Sequence, residues 1–246
     1  MSTEVLVAAV AIAFVAATTQ SVTGFGFALV MAPVLAAIWD PKAAVPATLL
    51  LALGSNLAQL VGVHGQVTRW RLPGLYLGLI VGIPLGVFFL DRVDTDTLQV
   101  TVGVVVFAAT VLLYTQPAID PGHDTLWLRL GAGTIGGALS AATSMGGPPV
   151  VLYLLGRETE IERYRATLLA YFLPTGVLAS LALLIVGRVD VDVLTVVACG
   201  LPAVAVGIVA GNWLRGHLNA GRFRIVVVGV LLATSITVTV LAVAGW

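Results

Sequence analysis

Apolar residues fill most of the chain, and the charged residues between them fall in short clusters at regular intervals. Eight stretches of at least 19 residues contain no Asp, Glu, Lys or Arg: 5–39, 43–68, 72–90, 97–119, 130–156, 166–187, 193–214 and 225–246. A helix needs roughly 20 apolar residues to cross the hydrocarbon core of a bilayer. The pattern therefore predicts an all-α polytopic membrane protein with about eight hydrophobic spans.

Two of these stretches carry helix-breaking residues near their centres. The stretch 5–39 would be about 52 Å long as one straight helix, which exceeds the bilayer, and it contains Gly24, Gly26 and Pro33. The stretch 130–156 contains the sequence GGPP at 146–149. We therefore expect both stretches to be discontinuous, as broken helices or hairpins whose irregular backbone lines a cavity.

Short matches in a common order indicate an internal duplication. The sequence ATLLLALGS at 47–55 matches ATLLAYFLP at 166–174, and GIPLG at 82–86 matches GIVAG at 207–211. The two interrupted stretches occupy equivalent places in this scheme. The sequence thus predicts a first transmembrane repeat over 1–115, a linker over 116–124 and a second repeat over 125–246.

The distribution of Arg and Lys predicts the orientation but not the repeat symmetry. Alternate loops hold eight basic residues against four if each interrupted stretch crosses the membrane once, and nine against three if each doubles back. Because cytoplasmic loops are enriched in Lys and Arg, both counts leave the N-terminus outside. Parallel and inverted repeats both remain open at this point.

Composition and motifs argue against an enzyme or a nucleic-acid-binding protein. The formal net charge is zero, Cys199 is the single cysteine, and the histidines lack metal-ligand spacing. The sequence GAGTIG at 131–136 lies inside an apolar span, so we interpret its glycines as helix-packing positions rather than as a dinucleotide motif. The same interpretation applies to Gly78, Gly82 and Gly86. We expect no cofactor and no metal.

Polar residues concentrate at and beside the two interruptions and suggest a shared polar cavity. Interhelical hydrogen bonding explains any one of them, but their clustering at two related breaks favours a binding site. The residues predicted to bind substrate are Gln20, Thr23, Gly24, Gly26, Asn56, Thr143, Ser144, Gly146, Gly147, Pro148 and Thr175.

The predicted cavity suits a small anion. The apolar spans contain no charged side chain, whereas the N-terminus of a half-helix offers unpaired N–H groups and the positive end of the helix dipole. Carbonyl groups at the opposite ends of such half-helices could instead bind Na⁺. The coupling ion, H⁺ or Na⁺, stays open.

The sequences TGFGFALVMAPVL at 23–35 and SMGGPPVVLYLL at 144–155, with the GIPLG and GIVAG pair, resemble the sulfite exporter TauE/SafE family of permeases. The resemblance extends over essentially the whole chain. It implies transport of sulfite, a sulfonate or a related organic acid across a prokaryotic plasma membrane, with export favoured over import. An anion or solute channel is the alternative, followed by a membrane-embedded enzyme or non-transport subunit.

Overall fold

The computed structural model describes residues 2–61, 64–115, 124–155, 157, 158 and 160–217, and the described part of the chain is built from α-helices joined by short connections. Two short 3-10 turns, His64–Gln66 and Arg69–Arg71, precede the fourth helix. The α-helices are α1 (Thr3–Thr23), α2 (Phe27–Ile38), α3 (Pro41–Leu60), α4 (Leu72–Arg92), α5 (Thr95–Thr115), α6 (Leu126–Thr143), α7 (Gly147–Leu154), α8 (Ile161–Ile185) and α9 (Val191–His217).

Several helices are long and apolar enough to cross a bilayer. Within the described residues these are Thr3–Thr23, Pro41–Leu60, Arg69–Arg92, Glu162–Ile185 and Val191–Gly216. Their exposed faces carry large apolar side chains, as lipid-facing surfaces do. The predicted eight spans remain a prediction, because the last of them (225–246) and most of the predicted linker (116–123) lie outside the described residues.

Both stretches predicted to be discontinuous are interrupted. The first helix ends at Thr23 and the next begins at Phe27, while α6 ends at Thr143 and α7 begins at Gly147. We call residues 24–26 the first break and residues 144–146 the second break. Pro33, which the sequence pattern grouped with the first break, instead lies inside α2, where the helix continues around it.

The chain doubles back at the second break. A Cβ placed on Gly136 of α6 would lie 3.0 Å from the Gly146 carbonyl oxygen and 3.1 Å from a methyl carbon of Val150. A helix that ran straight on would carry Val150 about 21 Å away from Gly136. The helices α6 and α7 therefore form a hairpin, and α2 likewise packs against α1.

Glycines allow α4 and α6 to pack with their backbones in contact. A Cβ on Gly78, Gly82 or Gly86 would come within 2.3 Å of a carbonyl oxygen of α6, and Gly133 faces the Leu75 carbonyl of α4 in the same way. These contacts confirm that the glycine stripe and Gly133 and Gly136 of GAGTIG are packing positions, whereas Gly131 has open space around it. Because residue numbers rise together along both helices, α4 and α6 run parallel.

The pair formed by α1 and α9 repeats this arrangement. Gly207 lies against the Phe14 carbonyl, and Gly211 lies against the Thr18 carbonyl one turn further along both helices. The two helices are therefore also parallel.

The helices α3 and α8 pack against each other in opposite directions. Gly176 of α8 faces Leu53 of α3, whereas Thr68, which follows α3, donates its N–H to Thr167 Oγ1 near the start of α8. As residue numbers rise along α3 and past its end, the residue numbers of the contacting partners on α8 fall, so the two helices are antiparallel. This antiparallel pair lies between the two breaks and places residues of both chain halves beside each other.

Candidate functional site

The first break is held by a threonine cap and two left-handed glycines. The Gly24 N–H bonds the Gln20 carbonyl at 2.7 Å, which closes the last turn of α1. Thr23 Oγ1 then accepts a hydrogen bond from the Phe25 N–H at 3.1 Å. Gly24 and Gly26 have φ values of 84° and 97°, which L side chains rarely adopt. The glycines therefore allow the chain to turn here without strain.

The second break repeats the first part of this geometry 120 residues later, although Gly146, unlike Gly26, has a negative φ. The Ser144 N–H bonds the Ser140 carbonyl at 2.8 Å, and Thr143 Oγ1 accepts from the Met145 N–H at 3.4 Å. Ser144 adopts a left-handed φ of 60° at the position of Gly24. Two residues on, Gly146 allows close packing, because a Cβ there would lie 1.9 Å from Ser140 Oγ.

A small cavity, here called the central cavity, lies between the two breaks. Its volume is about 50 Å³ for the centres of water-sized spheres, and by that measure one water needs roughly 10–15 Å³. The cavity thus has room for a few waters or one compact ion. It is lined by Gln20, Phe25, Gly26, Phe27, Ala28, Leu29, Leu49, Ala52, Asn56, Ser140, Ser144, Met145, Gly146, Gly147, Phe172, Thr175 and Gly176.

The structure brings together most of the residues predicted to bind substrate. Those that line the central cavity are Gln20, Gly26, Asn56, Ser144, Gly146, Gly147 and Thr175. The remaining four, Thr23, Gly24, Thr143 and Pro148, do not line it. They shape the breaks instead: each threonine hydroxyl accepts a hydrogen bond from the N–H two residues further on, Gly24 forms the left-handed turn, and Pro148 occupies the first turn of α7.

A buried network of amide side chains forms one wall of the central cavity. Gln20 Oε1 accepts hydrogen bonds from Ser55 Oγ at 2.6 Å and from Gln59 Nε2 at 3.3 Å. Gln20 Nε2 in turn donates to Asn56 Oδ1 at 2.7 Å. Only 4% of Asn56 is exposed, and its Nδ2 amide has no hydrogen-bond partner among the described residues. An N–H₂ group is therefore left to face the cavity.

The opposite wall carries hydroxyl groups from the second half of the chain. Ser140 Oγ forms no hydrogen bond with any described residue, although only 3% of the residue is exposed. Thr175 Oγ1 donates to the Tyr171 carbonyl at 2.7 Å, which leaves its lone pairs as acceptors. The cavity wall is thus polar without being charged.

No described residue that lines the central cavity is ionisable. Nor do the described residues include a cluster of three His, Cys, Asp or Glu side chains that could hold a metal ion. A buried cation, Arg165 of α8, lies beside the first break; it is only 3% exposed, and its aliphatic stem packs on Gly24. The sequence pattern placed Arg165 at a span end and gave no sign that it is buried.

A second group of charges joins the ends of α4, α6 and α7 away from the cavity. Asp124 Oδ1 accepts hydrogen bonds from Arg129 Nε at 2.9 Å and from the Tyr153 hydroxyl at 2.8 Å, and Asp124 Oδ2 lies 3.5 Å from Arg71 Nε. Burial alone would raise the pKa of the Asp124 carboxyl, but the hydrogen bonds from Arg129 and Tyr153 hold that pKa below its usual value. This cluster is a structural clamp.

Apart from Pro148, no apolar side chain was predicted to bind substrate, yet eight apolar residues line the cavity: Phe25, Phe27, Ala28, Leu29, Leu49, Ala52, Met145 and Phe172. Phe25 and Met145 lie inside the two breaks, next to residues that were predicted, whereas nothing in its sequence surroundings sets Phe172 apart from other apolar residues of the spans. Ser55 was also missed as a site residue, although it ends the repeated ATLLLALGS sequence. Its role becomes visible only through its hydrogen bond to Gln20.

These features define a multi-pass helical membrane protein with a small, uncharged polar cavity between two interrupted helices. The family model described as "Sulfite exporter TauE/SafE" matches residues 9–238. The chain therefore belongs to the sulfite exporter TauE/SafE family, and at the level of that family it is a membrane transport protein.

One curated relative is similar along nearly its whole length. It is a protein of Cupriavidus necator named "Probable sulfite/organosulfonate exporter TauE", 24% identical over 235 residues, which are 92% of this chain and 91% of that protein. No solved structure matches the chain.

Proposed function

We propose that this chain is a secondary transporter that exports a small oxyanion, such as sulfite or a compact sulfonate, bound in the central cavity. The observation that carries the proposal is the unpartnered Asn56 amide on the wall of a cavity whose described lining residues bear no charge. Family membership and the Cupriavidus necator relative support the same class of substrate.

The amide network gives the cavity its polarity. Gln20 Oε1 accepts hydrogen bonds from Ser55 and Gln59, and the Gln20 amide donates towards Asn56. The Asn56 carbonyl is thereby also occupied, and only its N–H₂ group is available. A ligand at this wall must accept hydrogen bonds, as an oxyanion does and a metal cation does not.

The first turn of α2 adds further donors. Val30 is the first residue of α2 whose N–H bonds back to a preceding carbonyl, that of Gly26 at 3.1 Å. The N–H groups of Phe27, Ala28 and Leu29 are left without intrahelical partners, and all three residues line the cavity. In α7 the corresponding turn contains Pro148 and Pro149, which lack N–H groups. The first break is thus the stronger anion-binding half.

The volume of the cavity favours a compact substrate. A space of about 50 Å³ holds roughly three to five waters by the same measure, whereas pockets for drug-sized ligands are about 300–1,000 Å³. Phe25, Met145 and Phe172 close much of the remaining wall with apolar surface. A compact oxyanion fits this conformation, and a sulfonate with a long organic group would require the wall to move.

The packing of the helices supports inverted repeats. Suppose that α1 corresponds to α6, α3 to α8 and α4 to α9. The repeat then maps the parallel pair α1–α9 onto the parallel pair α6–α4, so both pairs represent one contact of the repeat unit. The antiparallel pair α3–α8 then relates the two halves by a two-fold axis that reverses their direction. Inverted repeats around a shared site are the usual basis of alternating access in secondary transporters.

This arrangement also fits export across a prokaryotic plasma membrane with the N-terminus outside, as the Arg and Lys distribution predicts. In such a transporter, rocking of one repeat against the other opens the central cavity to each side in turn. Applying a Na⁺ gradient and then an H⁺ gradient to proteoliposomes identifies the coupling ion.

The test is equilibrium binding of radiolabelled sulfite to the purified protein, followed by flux in proteoliposomes. Asn56→Leu keeps the side-chain size but removes the donor, and losing a hydrogen bond to a charged ligand costs about 1.5–3 kcal/mol. We therefore expect Kd to rise about tenfold to a hundredfold. Thr110→Val is the matched control, since Thr110 is buried in α5 away from the cavity. Unchanged sulfite affinity in folded Asn56→Leu would refute the site.

A further inference from the structure

Arg165 is a buried cation beside the first break that the central cavity does not use. It lies in the first turns of α8, and its aliphatic stem packs so closely on Gly24 that a Cβ there would come within 2.5 Å of Arg165 Cγ. Only 3% of the residue is exposed. An ionisable side chain buried in a membrane protein is costly, and it generally marks a pathway or a binding site.

The hydrogen-bonding capacity of this guanidinium is largely unused. Arg165 Nη2 donates to the Ser21 carbonyl at 2.6 Å, near the C-terminus of α1. The Nε and Nη1 atoms are buried and have no hydrogen-bond partner among the described residues. A guanidinium has five N–H groups arranged as a fork that matches an oxyanion. One backbone carbonyl therefore leaves most of that fork unoccupied.

The counter-ion of Arg165 is weakly held and is shared with a second arginine. Glu162 Oε2 lies 3.5 Å from Arg165 Nη1, and Glu162 Oε1 lies 3.4 Å from Arg215 Nη1 of α9. The Glu162 side chain is 45% exposed, whereas that of Arg165 is 4% exposed. The Glu162 carboxylate contacts the guanidinium from the solvent side, so another anion can displace it without a large rearrangement.

We propose that Arg165 forms a second anion-binding station, next to the first break, where a small oxyanion replaces Glu162 on its way between the central cavity and the membrane face. This station rests on the proposed function and extends it, because it gives the substrate a charged contact that the cavity lacks. The occupant is the free oxyanion; a lipid headgroup cannot reach a side chain that is almost completely buried.

A purely structural role for Arg165 makes a different prediction. The hydrogen bond to Ser21 caps the end of α1, where a cation also interacts favourably with the helix dipole. A lysine would retain the charge and can donate to the same carbonyl, but it lacks the planar fork. Arg165→Lys therefore separates capping from oxyanion binding.

The experiment is equilibrium binding of radiolabelled sulfite to the detergent-purified full chain, analysed for the number of sites. Wild-type protein should bind at two classes of site; Asn56→Leu should lose one, and Arg165→Lys and Arg165→Gln should each lose the other. Glu162→Gln, which removes the competing carboxylate, should tighten the second class about threefold to tenfold. Proteoliposome efflux by Arg165→Lys should fall at least tenfold while its melting temperature stays near that of wild type.

The outcomes separate this station from the central site. Two classes of site in folded Arg165→Lys, or sulfite affinity unchanged by Glu162→Gln, would overturn the station and leave the central cavity intact. Loss of the second class in Arg165→Lys together with no effect of Asn56→Leu would instead overturn the central site. If Arg165→Gln fails to fold, the lysine and Glu162 variants still decide the question.

Discussion

Gly147 provides the cleanest test of the central cavity, because a side chain there enters the cavity rather than the packed protein. A Cβ on Gly147 would meet only Phe172, at 3.5 Å from its Cζ atom, which is ordinary van der Waals contact. Both residues line the cavity. Gly147→Val therefore adds three carbon atoms that project into the space proposed for the anion, and its Cβ clashes with none of the helices around it.

The size of the effect follows from the cavity volume. A space for roughly three to five waters loses most of its capacity to the valine side chain. Forcing extra carbon groups into a filled site costs about 1–3 kcal/mol, so sulfite should bind about 5- to 150-fold more weakly at 1.4 kcal/mol per tenfold change. The free energy of unfolding should fall by no more than about 0.5–3 kcal/mol, the usual range for a single substitution, since the unliganded cavity accepts the new side chain but a branched residue before Pro148 is disfavoured in a helix.

The assay pairs sulfite binding with thermal unfolding of the same purified samples. Gly131→Val is the control for binding, because Gly131 has open space around it and lies outside the cavity lining. Gly146→Ala is the contrasting variant: its Cβ would lie 1.9 Å from Ser140 Oγ, so it should lower the melting temperature. A folded Gly147→Val protein with wild-type sulfite affinity would refute the assignment of the cavity as the binding site.

Three further predictions concern the supports of the site. Gly133→Leu should lower the free energy of unfolding by about 1–3 kcal/mol, because its Cβ would lie 2.2 Å from a backbone carbonyl oxygen of α4; thermal unfolding in detergent measures this, and an unchanged midpoint would contradict it. Ser55→Ala removes one donor to Gln20, so sulfite affinity should fall about twofold to tenfold, and an unaltered Kd would speak against the network. The Asp124 carboxyl has a lower pKa in the folded protein than its unfolded value of about 3.9. The ionised carboxylate therefore stabilises the fold above the unfolded pKa, and this stabilisation is lost as the pH falls through the lower folded pKa. The melting temperature of wild type should thus drop more steeply below about pH 4 than that of Asp124→Asn, in which other carboxyls with lowered pKa, such as Asp94, still titrate; parallel curves would count against the clamp.

The sequence predicted the breaks because their chemistry is local. Glycine with positive φ and proline in a first helical turn are requirements of the chain itself, and both can be read without knowing its neighbours. The same holds for the glycine stripe on α4, whose spacing predicts a close helix contact wherever its partner lies. Gln20 and Asn56 were found for a related reason: amide side chains are rare in apolar spans, and each needs a partner there.

Other features depend on contacts between distant segments and leave no local pattern. Arg165 follows a polar connection in the sequence, so it looks like an ordinary residue at a span end; it is buried because α8 begins beside the first break. Phe172 lines the cavity because α3 and α8 cross in opposite directions. The direction of that crossing depends on how many times the chain traverses the membrane before α8, and hydrophobicity alone does not count the hairpin turns.

An uncharged central cavity is a reasonable design for a transporter that must release what it binds. A fixed cation in a low-dielectric site would hold an oxyanion strongly, and transport requires binding that is favourable enough to capture the ion and weak enough to let it leave. Amide donors such as Asn56 meet this requirement, since each contributes a limited hydrogen bond. The guanidinium of Arg165 can then attract the ion at one side of the cavity without trapping it, because Glu162 competes with the ion for the same group. If the amide donors bind the ion and the Arg165 guanidinium only attracts it, placing a positive charge inside the cavity, as in Asn56→Lys, should strengthen sulfite binding and slow sulfite efflux.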